Sequence, residues 1–255
     1  MPTRHEPWPA GTPCWIDLAS TDLPAARTFY AELFDWHVPE GVAAAGGYAS
    51  ADVGGDRVAG LGATGGPDEP AAWLTYIATD DLAATLAAAE RAGGRVQVGP
   101  EQLGPLGSMA VLADPTGAVF GVWQAGTHPG VERFNEHGSL IWNEAAVSDP
   151  EAARAFYTAV FGWEWDPVEG MESYRTFRLG DRWLGGLGSL QDGVPGWGVC
   201  FGVTSTDRAV AGVTGGGGPV VVPAEASPWG RYAVLADPQG APFSVMEVGD
   251  TPPEV

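Results

Sequence analysis

Two pairs of residues in this chain have the chemistry to meet a ligand. Trp15 is followed two positions later by Asp17, and Trp142 by Glu144, each inside an apolar run, "TPCWIDLA" and "SLIWNEAA". A strand sends alternate side chains to one face, so each indole shares a face with its carboxylate. An indole attracts flat rings and cations, worth about 0.5–2 kcal/mol per contact. A carboxylate beside it binds a donor or a cation, or takes a proton as a general base. The competing role is structural: the indoles fill a core, and the acids bond backbone or an arginine such as Arg57 or Arg178.

Other chemistry is hard to assemble. The four histidines are His5, His37, His128 and His137. None falls in a strand-like run, and they read as surface polar groups, with an exposed His5 or His128 able to collect adventitious metal. "GGLG" and "GGGG" lack the order of a phosphate-binding loop, and no lysine follows them. No serine or cysteine has a neighbouring histidine at a triad spacing.

The elements that hold the two pairs are duplicated. "GTPCWIDLASTDLPAARTFYAELFDW" from Gly11 returns as "GSLIWNEAAVSDPEAARAFYTAVFGW" from Gly138, without a gap and 127 positions later. In each copy a strand leads into a helix. In the first, Thr21 or Asp22 caps the helix, Pro24 suits its first turn, and Phe29, Tyr30, Leu33 and Phe34 form its apolar stripe. Alternation on either side of Gly54-Gly55 predicts a hairpin. The order then repeats within the half: "AWLTYIATD", a helix over "DLAATLAAAERAGG" closed by Gly93 and Gly94, and a hairpin turning at "DPTG". The second half ends on a matching "DPQG" hairpin. Each half is thus two units of strand, helix and about three strands. The helix "STDRAVAGVTGGGGP" is weak, since each interior glycine costs about 1 kcal/mol relative to alanine, and the fourth unit is expected to be the most irregular. Residues 126–137 are polar and read as the linker between domains at 11–125 and 138–248.

Composition narrows the partners. A net charge of −20 over 255 residues repels phosphate backbones and anionic lipid, so neither nucleic acid nor a membrane surface is expected. Cys14 and Cys200 lie in different strand-like runs, which argues against a disulfide framework and fits a reducing cytoplasm. The opening "MPTRHEPWPAG" holds no apolar signal core, and no apolar run approaches the roughly 20 residues that span a bilayer.

Four βαβββ modules paired into two halves resemble the vicinal oxygen chelate superfamily, the fold of glyoxalase I, bleomycin-resistance proteins and extradiol dioxygenases. The residues that carry the resemblance are the "D-x-x-x-A-x-x-F-Y-x-x-x-F-x-W" helices at Asp22–Trp36 and Asp149–Trp163 and the "D-P-x-G-A-x-F" hairpins at Asp114–Phe120 and Asp237–Phe243. The chain is most similar to the two-domain glyoxalase-like proteins of actinobacteria. The resemblance implies an α+β fold in which each half is a cupped mixed sheet with helices outside.

Metal-using members place a His or Glu on a first strand, seven residues before the Asp that opens the helix, and a Glu on a last strand, seven after the Asp of "DPxG". Here those positions hold Trp15, Trp142, Trp73 and, aligned on Asp207, Val199 or Cys200, then Gly121 and Ser244. This is no hard-metal donor set, so neither metal nor cofactor is expected. If Trp15 and Trp142 occupy these positions, they face the cups together with Asp17 and Glu144. The other walls are expected from Trp73, Trp123, Phe201 and Met246. The leading expectation is a metal-free protein that binds a hydrophobic or aromatic small molecule, as in sequestration of or resistance to a natural product. The rival is a lyase, isomerase or hydroxylase-like enzyme of the same superfamily, glyoxalase-type, using Asp17 or Glu144 as base. A third is a scaffold in which one half has decayed. The two fused halves can replace the dimer of single-domain relatives, leaving a monomer or a homodimer.

Overall fold

The computed structural model describes residues 2–66, 68–190 and 193–249. The first half runs β1 (Pro13–Ser20), α1 (Leu23–Phe34), β2 (Ala49–Val53), β3 (Asp56–Ala63), β4 (Ala72–Ala78), α2 (Leu82–Arg91), β5 (Arg95–Gln102), β6 (Gly107–Ala113) and β7 (Val119–Ala125). The second runs β8 (Leu140–Val147), α3 (Pro150–Phe161), β9 (Glu164–Val168), β10 (Met171–Leu179), β11 (Arg182–Ser189), β12 (Gly196–Val203), α4 (Thr206–Gly215), β13 (Val220–Ser227), β14 (Gly230–Ala236) and β15 (Pro242–Glu247). The fold is α+β, with one mixed sheet per half.

Each sheet has the same plan about its centre. The orders are β2-β3-β1-β4-β7-β6-β5 and β13-β14-β15-β12-β8-β11-β10-β9. First strands pair antiparallel at the middle, β1 with β4 and β8 with β12, and each pairs parallel with its own module's last strand. The first module has one strand fewer than the others. Pro39 and Gly41 interrupt the stretch matching β9, and the chain makes only isolated bridges there, His37 to Asp52 and Val42 to Tyr48.

Short polar side chains start all four helices. Asp22, Asp81 and Asp149 accept from the amides of Ala25, Ala84 and Ala152, and Ser205 accepts from Arg208. The glycine-rich α4 matches α2 in length, 10 residues each. Its buried Thr206, Ala209 and Val213 anchor it, and Gly212 and Gly216 leave room for Leu33 and Phe29 of α1. Tertiary packing outweighs the low helix propensity.

The sheets meet back to back at β4 and β12, where the Thr75 hydroxyl donates to Asn143 Oδ1 at 3.0 Å. Two hydrophobic cores flank this contact, and each draws on both halves. One joins α1 to Phe201, Val213 and Phe243, with the rings of Phe34 and Phe201 4.7 Å apart. The other joins Leu86, Leu112 and Phe120 to Phe156, Tyr157 and Trp163. The repeated "DPxG" turns join the same assembly. Asp237 Oδ1 accepts from the amides of Gln239 and Ala241, while Oδ2 accepts from the Tyr30 hydroxyl at 3.1 Å. Tyr157 approaches Asp114 in the matching place, although Asp114 Oδ2 accepts no hydrogen bond from the described residues. No described helix is long and apolar enough to cross a membrane.

Candidate ligand site

Side chains of β1 alternate between the back, where Ile16 and Leu18 enter a core, and the concave face, where Trp15 and Asp17 lie. In the first cup this pair is consumed by the protein itself. Asp17 Oδ1 accepts from Trp15 Nε1 and from the Tyr48 hydroxyl, both at 2.7 Å, and the Tyr76 hydroxyl approaches this carboxylate. Burial raises the Asp17 pKa, and these three groups pull against it. The Tyr76 ring lies over Gly121, and the Tyr48 hydroxyl over Gly60; a Cβ at either glycine would run into the ring system above it. Aromatic rings therefore occupy the middle of the first cup.

His128 seals its mouth. The imidazole packs edge-on to Trp15, centroids 4.4 Å apart, and is only 7% exposed. Its Nδ1 accepts from the Gly130 amide, and burial lowers its pKa to about 4. The linker around it is ordered against the first half. Val131 N donates to Cys14 O, and Glu132 takes a bidentate contact from Arg57. His128 is thus an interior residue, against the expectation of a surface one. The position +114° of Gly130 in φ lets the chain turn back over the sheet.

The second cup is open. A cavity of about 360 Å³ is lined by Trp142, Glu144, Ala146, Gly196, Gly198, Cys200, Tyr232, Val234, Ser244 and Met246. That lies at the lower end of the range usual for small-molecule sites, roughly 300–1,000 Å³. Strand register explains the difference between halves. Trp15 pairs with Tyr76 and Tyr76 with Gly121; Trp142 pairs with Cys200 and Cys200 with Ser244. Asp17 pairs with Leu74, and Glu144 with Gly198. Where the first half has Tyr76 and Leu74, the second has Cys200 and Gly198, and the volume of those larger side chains becomes the cavity.

Glu144 accepts no hydrogen bond from the described residues. Its side chain is reached by water through the open cup, yet the walls crowd it, and this desolvation raises its pKa with no donor to oppose it. Trp142 Nε1 donates to the Tyr174 hydroxyl at 3.2 Å; burial, and after it the Glu144 charge, raises the pKa of Tyr174, whereas Tyr232 is raised first by its hydrogen bond to Glu225. Arg57 is engaged by Glu132, and Arg178 by Asp166 and Glu164, so neither arginine pairs with Asp17 or Glu144.

Two expected wall residues face the other way. Trp73 points to the back, where its Nε1 donates to the Tyr30 hydroxyl at 3.1 Å. Phe201 is fully buried beside Phe34 and Trp36. For Trp73 the cap is Asp81 rather than Asp80, which places Leu74 in the cup. For the fourth unit the cap is Ser205, which places Gly198 there; the count from Asp207 reaches Cys200 on the same face, and Phe201 follows only from the alternative Val199. Trp123 does lie on the first concave face, but its Nε1 donates to His128 O, and it borders a separate cleft of about 210 Å³ with Trp8 and Asp80. Trp142, Glu144 and Met246 come together as expected. Sequence reasoning missed Tyr48 and Tyr174, whose signal was the small residue each ring covers: Gly60 in "AGLGAT" and Gly186 in "GGLGSL".

The metal positions of the resemblance now read Trp15, Leu74 and Gly121 in one cup and Trp142, Gly198 and Ser244 in the other, and these donors do not fit a divalent ion. His5, Asp56 and Glu132 bring ligand-capable atoms within 4.8 Å of one another elsewhere. Arg133 and Arg57 already neutralise those two carboxylates, and Glu132, despite burial, is brought down to about 2 by Arg57.

Comparison with known proteins agrees with the duplicated architecture. The model of the Glyoxalase/Bleomycin resistance protein/Dioxygenase superfamily matches residues 14–122, and that of a glyoxalase-like domain matches residues 143–246. The chain is 40% identical over 257 residues to "Putative glyoxylase CFP32" of Mycobacterium tuberculosis, covering 97% of this chain and 98% of that one. It is 36% identical over 267 residues to the anthracycline biosynthesis protein DnrV of Streptomyces peucetius, covering 96% and 95%. Among solved structures, the Mn(II)-bound glyoxalase from Novosphingobium aromaticivorans superposes with a TM-score of 0.69 at 17% identity, over 93% of this chain and 82% of that one. The 2,2',3-trihydroxybiphenyl 1,2-dioxygenase of Sphingomonas wittichii gives 0.67 at 18% identity, over 94% and 91%. Matched in both halves and related along its whole length, the chain belongs to the glyoxalase/bleomycin resistance protein/dioxygenase superfamily.

Proposed function

We propose that this protein binds a hydrophobic or aromatic small molecule in its second cup, and does so without a metal. The observation that carries the reading is Glu144, a carboxylate that accepts no hydrogen bond from the described residues, set beside Trp142 in a cavity of about 360 Å³. A carboxylate in such a place favours a ligand that brings a cation or a hydrogen-bond donor. The indole and the small residues Ala146, Gly196 and Gly198 suit a flat body. Relatives named for anthracycline biosynthesis support this chemistry, since anthracyclines are flat fused-ring compounds.

A second reading, enzymatic, rests on the same carboxylate. Glu144 has a raised pKa, is open to water and is free to take a proton, as a general base requires. Asp17 is a poor base by comparison, because Trp15 and Tyr48 already donate to it.

Thermal-shift screening with flat cationic and neutral ring compounds, together with elemental analysis after chelator-free purification, tests the proposal. Binding raises the melting temperature by mass action. One tightly held manganese, iron, nickel or zinc ion per chain would overturn the metal-free reading. Failure of every ring compound to bind would overturn the ligand.

A further inference from the structure

Rings continue outward from the second cup. Trp142 stands inside, its Nε1 donating to the Tyr174 hydroxyl at 3.2 Å. The Tyr174 ring lies 6.3 Å from that of Trp229, tilted 46°. Trp229 precedes β14, and a Cβ on the next residue, Gly230, would lie 3.5 Å from Met246 of the cavity wall. Tyr174 belongs to β10 on the other side of the sheet, so the sheet curls until its two arms meet here, at the cup's rim. Trp229 is nonetheless 51% exposed, and Tyr174 is its one ring neighbour among the described residues. Burying that indole contributes little to the fold.

The first half has no such feature. The residue matching Trp229 is Leu106, whose carbonyl accepts from the amides of Gly126 and His128, so the linker is tied to the backbone of that rim while the leucine side chain itself stays exposed. In the second half the rim carries a large indole where the first carries a leucine.

We propose that Trp229 is an outer ring-binding subsite of the second cup, so that the ligand extends from Glu144 past Tyr174 to the rim. This inference rests on the binding function proposed above. A cavity of about 360 Å³ holds one or two rings, and a longer flat ligand must emerge from it. The rim then offers the second face on which its outer end stacks. The class of ligand is an elongated fused-ring compound whose cation or donor meets Glu144 while an outer ring reaches the rim.

The test compares two cationic probes of different length, 9-aminoacridine with three fused rings and benzamidine with one, at physiological ionic strength. Affinity is read by indole quenching and thermal shift. Glu144→Gln is the control for site-specific binding, and the far-ultraviolet spectrum and melting point of apo Trp229→Ala confirm its fold. Trp229→Ala should weaken 9-aminoacridine at least fivefold and change benzamidine by less than twofold, and Trp229→Phe should restore part of the loss, as expected of a ring stacked on an aromatic side chain. If 9-aminoacridine binds, depends on Glu144 and is indifferent to Trp229→Ala, the outer subsite is overturned while the binding function stands. If Trp229→Ala weakens both probes equally, the subsite is overturned as a length selector. If neither probe binds, the proposed function fails and this inference with it.

Discussion

Tyr76 and Cys200 occupy one position in two copies of the same sheet: each pairs with the first-strand tryptophan of its half, on strands that run antiparallel at the sheet centre. The phenol ring over Gly121 fills one cup, and the thiol beside Ser244 leaves the other open. The exchange predicts that the second cup can be closed by making it like the first. Cys200→Tyr needs Ser244→Gly beside it, since the Tyr76 ring tolerates no Cβ at Gly121. The double variant should lose probe binding by more than about tenfold, or 1.4 kcal/mol. Its stability should change by less than about 1 kcal/mol, because the new ring fills existing space. Titration calorimetry and thermal melts on the same preparation check both.

The pH response of Glu144 has a definite sign. Its ordinary pKa is 4.5, and burial raises it in the folded protein. The folded chain therefore holds a proton that the unfolded chain has released, so this group's contribution is present at low pH and lost as pH rises through the window above 4.5. Glu144→Gln should be more stable than the parent at neutral pH, with the advantage shrinking in acid. Binding of a cationic ring compound should strengthen as pH rises through the same window, and Glu144→Gln should flatten that profile. Asp17→Asn should leave binding unchanged.

His128 works in the opposite direction. Burial lowers it from 6.5 to about 4, so the unfolded state binds the extra proton in that interval. Its stabilising contribution is complete above pH 6.5 and is lost as pH falls toward about 4. His128→Gln should reduce the acid sensitivity of the melting temperature in that interval, measured by calorimetry, and should loosen the packing around Trp15, visible as a red shift in indole emission.

Tyr30→Phe should destabilise the protein by about 1–3 kcal/mol. The hydroxyl accepts from Trp73 and donates to Asp237, and its loss leaves a buried indole N–H and a buried carboxylate oxygen unmet. Urea unfolding gives the value. A cost near zero would mean that water enters and replaces the hydroxyl.

Much of this architecture could be read from one sequence. The constant offset of the two helix motifs predicted the tandem fold, and Asp22 and Asp149 cap the helices they were expected to cap. The second cup was partly legible, because Trp142, Glu144 and Met246 follow from strand alternation alone. The errors came from one-residue ambiguities. Asp80 and Asp81 are adjacent candidates for the same cap, and a slip of one position sends every side chain of a strand to the opposite face. Trp73 and Phe201 moved from cup to core for that reason. His128 was misread because its burial depends on where the linker folds back, which no periodicity encodes. The plug formed by Tyr48 and Tyr76 was hidden for a similar reason: it depends on contacts across strands that only register defines.

The two cores also bear on how such a chain can change over generations. Phe29, Tyr30 and Phe34 from the first half are covered by Phe201, Val213 and Phe243 from the second, and Phe156 and Tyr157 by Phe120 in return. Half of this gene does not encode half of a working molecule. A fragment ending near residue 125 would present its aromatic stripe to water and would seek a second copy of itself to cover it. The shared interior ties the halves together, so a substitution there must suit both, whereas a concave face answers to its own half alone, and that is where Tyr76 and Cys200 differ.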